Sequence, residues 1–492
     1  MLIRNVSPMT LSTGEVHRLG KNADSTRRIP WRSVGLAPMT PAISGRGTSQ
    51  IPPKQDNLKF TQQSHIDCTR LACLTMAGFR KSLVPAGIAT AAAIAIGVQL
   101  DLFPLGNLIT LVQLGLAIGK TIQPLSAFPF ECRRIDNPML DACEDMWISR
   151  STRKLYLACS DSKARRQWFP AVDQYNLTGR SRVDGIVVVD LDQPGLGPGI
   201  GPGSQVTARR LNTPGYTGVA GDGLLSLTGF TGVDLPDGVV RFLVVNNRPA
   251  VDLGTGEYAA DQAYAGVNAT IEVFETRSGH DVSLQHVSTV ASANISTPNR
   301  VAAFGSAGFY ITNDHGKVKS GKLARFRAML GGGDVAFCSY TGDCKVVASG
   351  LSYPNGLMLH SNGLLYVPSA AAGGVHVYQP QDDGSLEEMA KIEAFWAIDN
   401  LSEDNNGDIF AAVISKGKET LAYVKDPSRA VPASGVLRIR VTGSGYETNI
   451  VLEDRDGEAL PATTTVVHDV VTGRLYLSGA SSPFVTVCNP RV

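Results

Sequence analysis

Four short stretches of the chain set oxygen-bearing side chains at the edges of apolar segments. They are ACEDMWIS with Glu144 and Asp145, TPNRVAAFG with Asn299, SYPNGLML with Asn355, and FWAIDNLSED with Asp399 and Asn400. Each has a plain structural reading. Asn-Gly is a common turn signal, Asp-Asn often caps a turn, and Asn400-Leu401-Ser402 is also a formal glycosylation acceptor. Taken together, the carboxylates Glu144 and Asp399 and the carboxamides Asn299, Asn355 and Asn400 make an all-oxygen shell suited to a hard cation. Calcium, which accepts many oxygens in flexible geometry, fits such a set better than magnesium, which wants a tighter octahedron and more water. A fifth stretch, FYITNDHG, puts Asp314 beside His315, a pair able to accept a proton from water; a satisfied histidine at a strand end is the plainer alternative.

Rival chemistries find little support. The eight cysteines form no CxxC pair and no Cys/His cluster at zinc spacing. No GxSxG elbow is present, so a covalent serine mechanism has no anchor. The Gly-rich runs PGLGPGIGPG and LGGGD lack a strand-to-helix context and a Lys-Ser/Thr ending, and read as loops rather than phosphate cradles. Lys plus Arg number 45 against 44 Asp plus Glu, a balance that excludes the basic surface nucleic-acid binding requires.

The oxygen donors need a scaffold that brings distant segments together, and the chain repeats one. A small turn followed by an apolar-aromatic strand recurs as RKLYLAC around Tyr156, VRFLVV around Phe242, GFYITND around Tyr310, GLLYVPS around Tyr366, GDIFAAV around Phe410 and GRLYLSG around Tyr476. Several copies are followed by a second amphipathic strand, such as GGVHVYQP, and then a turn such as QDDGSL. With 51 glycines and 27 prolines, this pattern predicts an all-β, six-bladed β-propeller over residues 132–492, whose functional groups stand where the innermost strands begin. Cys132 precedes the first such strand and Cys488 ends the last, which suggests a disulfide closing the ring. Cys338 and Cys344 flank a short loop and are placed for a local second one.

Ahead of the propeller, residues 1–75 are polar and without periodicity, and are expected to be a disordered extension. Residues 76–103 hold the uncharged stretch LVPAGIATAAAIAIGVQL (Leu83–Leu100) behind Arg80 and Lys81, which predicts a signal anchor or transmembrane helix with a cytoplasmic N-terminus. A buried Ala/Gly helix is the alternative. Residues 104–131 form a linker whose apolar segment is too short to span a bilayer. The domain beyond is then expected in the secretory pathway, membrane-anchored with a lumenal or extracellular face, or secreted. Disulfides persist there, and Asn176, Asn268 and Asn294 are candidate glycan sites.

From about Cys132 to Cys488 the chain resembles the serum paraoxonase/arylesterase family, on the motifs ACED, PNRVAAFG, FYITNDHG, SYPNGL, AIDN and the terminal TVC. The resemblance implies a six-bladed propeller with calcium in its central tunnel that hydrolyses aryl esters, lactones and some phosphotriesters. It puts Glu144, Asn299, Asn355, Asp399 and Asn400 on the family's catalytic-calcium ligands, and Cys132 and Cys488 on its ring-closing disulfide. An uncleaved hydrophobic N-terminal segment is also typical of the family.

Two departures stand out. The family's second, structural calcium resembles a site of Asp145, a backbone carbonyl near Phe230 and an Asp at the position where this chain has Arg300. A guanidinium cannot ligate a cation, so the second calcium is expected to be missing or weakened. The paired histidines of the mammalian members fall on Thr228 and Asn247, neither of which is a base near neutral pH. The expected function is therefore calcium-dependent hydrolysis of a small ester or lactone, with Glu144, Asp399 or the Asp314–His315 pair taking the proton. A gluconolactonase-like or strictosidine-synthase-like enzyme, or a membrane-tethered propeller that keeps calcium only for structure, are the alternatives. The insert from about Gly195 to Asp222 is the expected lid.

Overall fold

The computed structural model describes residues 105–199, 205–218, 221–252, 254–277 and 282–491. The N-terminal extension, the Leu83–Leu100 segment, Cys68 and Cys73 lie outside the described residues. Among those described, no helix is long and apolar enough to cross a membrane.

Six four-stranded sheets make a β-propeller. Their innermost strands are Asp145–Ser149, Leu227–Asp234, Pro298–Phe304, Met358–Leu359, Ala397–Glu403 and Thr465–Asp469. Each pairs antiparallel with the repeated apolar-aromatic strand that follows it. In those second strands the recurring aromatics Tyr156, Phe242, Tyr310, Tyr366, Phe410 and Tyr476 are all at most 4% exposed. A sheet in the interior of a ring is covered on both faces, so a large residue at mid-strand fills the space to the next blade. Tyr156 and Phe242 meet in this way, edge to face across two blades at 4.9 Å.

The last blade is built from both ends of the domain. Phe130–Ile135 pairs with Val485–Pro490 as its outermost strand, and Cys132 stands opposite Cys488, to which it is disulfide-bonded. Cys338 and Cys344 are bonded across the hairpin of the third blade. A third bridge, Cys143–Cys159, lies at the open end of the first blade's inner hairpin. In strict register Cys159 would oppose Glu144; the ladder ends at Asp145↔Ala158, and the bridge joins Cys159 to the residue one position earlier.

Outside the blades, an apolar helix, Leu105–Leu116, lies against a second helix, Gly417–Lys425. The two helices meet at Gly115 and Gly417, where a Cβ on Gly417 would stand in ordinary contact, 3.6 Å from the Gly115 Cα.

Replacing Cys132 and Cys488 together by serine should lower the unfolding free energy by about 2–5 kcal/mol in urea titration, the usual range for loss of a native bridge. An unchanged midpoint would mean that strand pairing alone holds the ring.

Candidate metal centre and cavity

The innermost strands do more than line an axis; three of them bulge at the same level. In the second blade the register passes from Leu227↔Asn246 to Phe230↔Val244, in the third from Pro298↔Asn313 to Val301↔Ile311, and in the fifth from Ile398↔Val413 to Leu401↔Ala411. At each step two residues oppose one, the definition of a β-bulge, which frees them from the ladder and re-aims their side chains. The freed pairs are Thr228-Gly229, Asn299-Arg300 and Asp399-Asn400. Glu144, Asn355 and Thr464 stand just before the innermost strands of the other three blades.

Gly229 and Gly356 make the convergence possible. A Cβ on Gly229 would come 2.6 Å from the Asn299 carbonyl oxygen, and one on Gly356 would overlap Asn400. The SYPNGL motif thus needs glycine for close approach of two blades.

The structure brings together all five of the expected cation ligands. Glu144, Asn355, Asp399 and Asn400 are buried and Asn299 is half-buried. Asn400 Nδ2 lies 3.3 Å from both the carbonyl and the Oε1 of Glu144, and Asn355 donates to Asp399. A carboxamide whose nitrogen faces a carboxylate turns its oxygen the other way. Accordingly, Asn299 Oδ1, Asn355 Oδ1, Asn400 Oδ1 and Glu144 Oε2 are buried with no hydrogen-bond partner in the protein. Buried acceptors left without donors are costly, and several converging on one place fit a cation. The electrostatics agree. Burial and then Asp145 push the Glu144 carboxyl up to about 7, and burial, Glu144 and Asp145 push Asp399 well above its ordinary value. Among the described residues no group of three or more His, Cys, Asp and Glu could hold a metal by itself; here carboxamides complete the shell.

Thr464 was missed in the sequence, where nothing distinguishes it. Its hydroxyl donates to the Glu144 carbonyl at 2.9 Å, its own carbonyl accepts from the Asn400 amide at 3.0 Å, and it lines the cavity above.

Arg300 fills the space beneath. Its Nε donates to Asp145 Oδ2 at 2.8 Å and stands 3.4 Å from the Phe230 carbonyl, while Nη1 reaches the carbonyls of Leu401 and Gly356. A carboxylate and three carbonyls from several blades thus surround a guanidinium.

Glu144, Asn299, Asn355 and Asp399 form the floor of a cavity of about 430 Å³. Its walls are mainly apolar: Leu111 and Leu114 from the first helix, Leu421 and Val424 from the second, with Phe169 and Tyr353. No described residue of the Gly195–Asp222 insert lines it. That insert carries instead the outer strand Ala208–Arg210 of the first blade, so the expectation of a lid there is corrected: the two helices cover the floor.

Asp314 and His315 sit to one side, each 3% exposed, with His315 Nδ1 2.5 Å from Asp314 Oδ1. The Tyr353 ring meets the imidazole edge-on at 5.3 Å and also lines the large cavity. Thr228 and Asn247 are in contact, Asn247 Nδ2 donating to Thr228 Oγ1 at 3.1 Å.

The family model described as Arylesterase matches residues 258–481, a span that includes every ligand candidate except Glu144, and also Asp314 and His315. Serum paraoxonase/lactonase 3 of Oryctolagus cuniculus is 30% identical over 215 residues, 43% of this chain and 58% of that protein. Serum paraoxonase/arylesterase 2 of Homo sapiens is 29% identical over 213 residues, 42% of this chain and 58% of that protein. Over this stretch the chain is similar to the serum paraoxonase/arylesterase family. The matched region spans less than two thirds of the length of these paraoxonases. Among solved structures, a gluconolactonase from Xanthomonas campestris superposes with a TM-score of 0.38 at 12% identity, covering 75% of this chain and 98% of that one, too distant a likeness to carry an argument.

Of the candidate glycan sites, Asn176 is exposed and Asn268 and Asn294 are half-buried, with Asn294 Nδ2 donating to the Cys344 carbonyl at 2.8 Å. Asn400 is fully buried.

The Arg300–Asp145 pair makes a sharp expectation. Arg300→Met leaves Asp145 as an uncompensated buried charge and should cost about 3–5 kcal/mol in chemical denaturation. Adding Asp145→Leu should recover most of that loss; failure to recover would mean that Arg300 acts mainly through the blade carbonyls.

Proposed function

We propose that the propeller is a calcium-dependent hydrolase of aryl esters or lactones, with Glu144, Asn299, Asn355, Asp399 and Asn400 holding the ion. The observation that carries this reading is the set of four buried, partnerless oxygens around Asp399, those of Glu144, Asn299 and Asn355 on residues that line the floor of an apolar cavity and that of Asn400 beside Glu144. When bound, such an ion supplies a positive charge that polarises a carbonyl oxygen and stabilises the oxyanion that develops on attack by water.

The chain's own residues account for the rest. Leu111, Leu114, Phe169 and Leu421 offer an apolar surface for an aryl or alkyl group, which leaves the ester or lactone carbonyl over the polar floor. The two helices beside that floor limit its contact with solvent, which strengthens the electrostatics beneath. Asn355 and Asn400 hold their neighbouring carboxylates by their nitrogens, fixing which oxygens face inward. Glu144 and Asp399 are candidate proton acceptors, as is the Asp314–His315 pair. The names of the matched relatives, paraoxonase, lactonase and arylesterase, support the same substrate class.

Arg300 supports a single ion rather than two, because its guanidinium takes Asp145. Three disulfides support folding in an oxidising compartment, and hence the secretory route. The membrane anchor proposed for residues 76–103 rests on sequence. Glycosylation is proposed at Asn176, Asn268 and Asn294 and not at Asn400, whose buried amide faces Glu144.

Purified protein should carry one calcium per chain by elemental analysis and hydrolyse phenyl acetate or a member of a lactone panel, with activity lost to a chelator and restored by calcium. Asp399→Ala should abolish ion binding and lower turnover by roughly 10²-fold or more. Chelator-induced unfolding without any turnover in the untreated protein would instead favour a calcium-stabilised binding propeller, and two tightly held ions would overturn the role given to Arg300.

A further inference from the structure

Beside the large cavity is a second one of about 10 Å³, lined by residues that include Asn247, Thr297, Pro298, Asp314 and His315. That is about the space one water centre needs. Two atoms of its lining side chains are buried and without a partner in the protein: His315 Nε2 and Asn247 Oδ1. Both residues are at least nine-tenths buried.

The hydrogen bonding assigns each atom a role. His315 Nδ1 faces the Asp314 carboxylate at 2.5 Å, so the proton of a neutral imidazole sits on Nδ1 and Nε2 carries a lone pair. Asn247 spends its nitrogen on Thr228 Oγ1 at 3.1 Å and the Pro298 carbonyl at 3.3 Å, which leaves Oδ1 as an acceptor. Two acceptors on one water-sized space call for a molecule that donates twice.

We infer that His315 Nε2 and Asn247 Oδ1 together bind one water through its two hydrogens, that His315 is the general base for this water, and that Asn247 is its positioning residue. This rests on the hydrolase reading above and specifies its nucleophile site. A water held by both hydrogens turns its oxygen lone pairs away from both partners. The space adjoins the large cavity: Ala171 lines both, and Pro298 in the small one is followed by Asn299 in the large one. In the step, the water oxygen bonds to the acyl carbon as its proton passes to His315 Nε2. The acyl–oxygen bond then breaks, and the same proton goes to the departing alkoxide, or to solvent when the leaving group is a stable phenolate. Ester and water become acid and alcohol, with no other reactant.

The surroundings suit a base of this kind. Burial opposes a charge on His315, but the adjacent Asp314 outweighs it with help from Asp173, and the imidazole is held above its ordinary value. The other charged or titratable groups around it are Arg325, ion-paired with Asp173, Lys319 on the cavity wall, and Tyr353 against the ring. A base is active when neutral, so hydrolysis should fall as pH drops through this raised value.

The experiment compares the full chain with His315→Gln and Asn247→Leu, measuring calcium affinity by titration calorimetry, kcat and KM on phenyl acetate, and the pH profile. His315→Gln should lower kcat by about 10²-fold or more and remove the acid limb of the profile, with calcium affinity unchanged. Asn247→Leu should lower kcat about tenfold or more at unchanged KM and calcium affinity, and keep the acid limb. Wild-type kcat in both variants, or a parallel loss of calcium affinity, would overturn the inference. If the wild type hydrolyses nothing, the hydrolase reading fails and the base role falls with it. The water site is then judged by a high-resolution crystal structure and by imidazole nitrogen NMR, which should show a water between Nε2 and Oδ1 and the proton on Nδ1; a dry space or the opposite tautomer would overturn it.

Discussion

The structure is organised around a concentration of negative charge that the fold itself buries. Glu144, Asp145 and Asp399 are all removed from solvent, on segments contributed by the first and fifth blades. An unpaired buried carboxylate is expensive, so three close together must be answered by positive charge or by protons. Arg300 answers for Asp145 at 2.8 Å. Glu144 and Asp399 have no such partner; burial shifts all three carboxyls toward their neutral forms, Asp145 against the opposing pull of Arg300. The same constraint explains the carboxamides of Asn355 and Asn400, which donate to these carboxylates and leave their own acceptor oxygens in the same place.

Much of this was legible before any coordinates. The six apolar-aromatic segments are the second strands of the six blades, because a residue covered on both faces must be apolar and large whatever else varies around it. The motifs carrying Glu144, Asn299, Asn355, Asp399 and Asn400 stood out because a polar residue at the start of a buried strand conflicts with its surroundings unless something uses it. Bulges were not legible. The two-against-one register at Asn299-Arg300 and Asp399-Asn400 depends on pairing with Thr312 and Ala412, and neither residue signals a bulge in the sequence. Thr464 was hidden for a related reason, since its part is played through a hydroxyl and a carbonyl that many residues could supply.

The cover of the cavity shows a different limit. A long Gly-rich insert looked like the obvious lid, but length says nothing about which end of a propeller a loop serves. The insert serves the outer edge of the first blade, whereas the covering elements are two short helices more than 300 positions apart, Leu105–Leu116 and Gly417–Lys425. Their contact with each other is a tertiary fact without local signature. Because these helices supply apolar walls and the blades supply polar floor, the shape of the cavity can vary with little effect on the ion shell.

Arg300 and the proposed ion divide the work of neutralising the axis in unequal ways. A guanidinium is covalently part of the chain and keeps its charge at any ordinary pH, so the contacts it makes with Asp145 and the carbonyls of Phe230, Gly356 and Leu401 persist whether or not an ion is bound. Those contacts tie the first, second and fifth blades and the segment before the fourth to the third. The ion shell one level away is made of side chains whose backbone is already held by Thr464, by the Cys143–Cys159 bridge beside Glu144 and by the close packing at Gly356. Its partnerless oxygens are therefore fixed in place by the protein rather than gathered by a metal, the condition under which a charge can act on a substrate without first having to organise its own site.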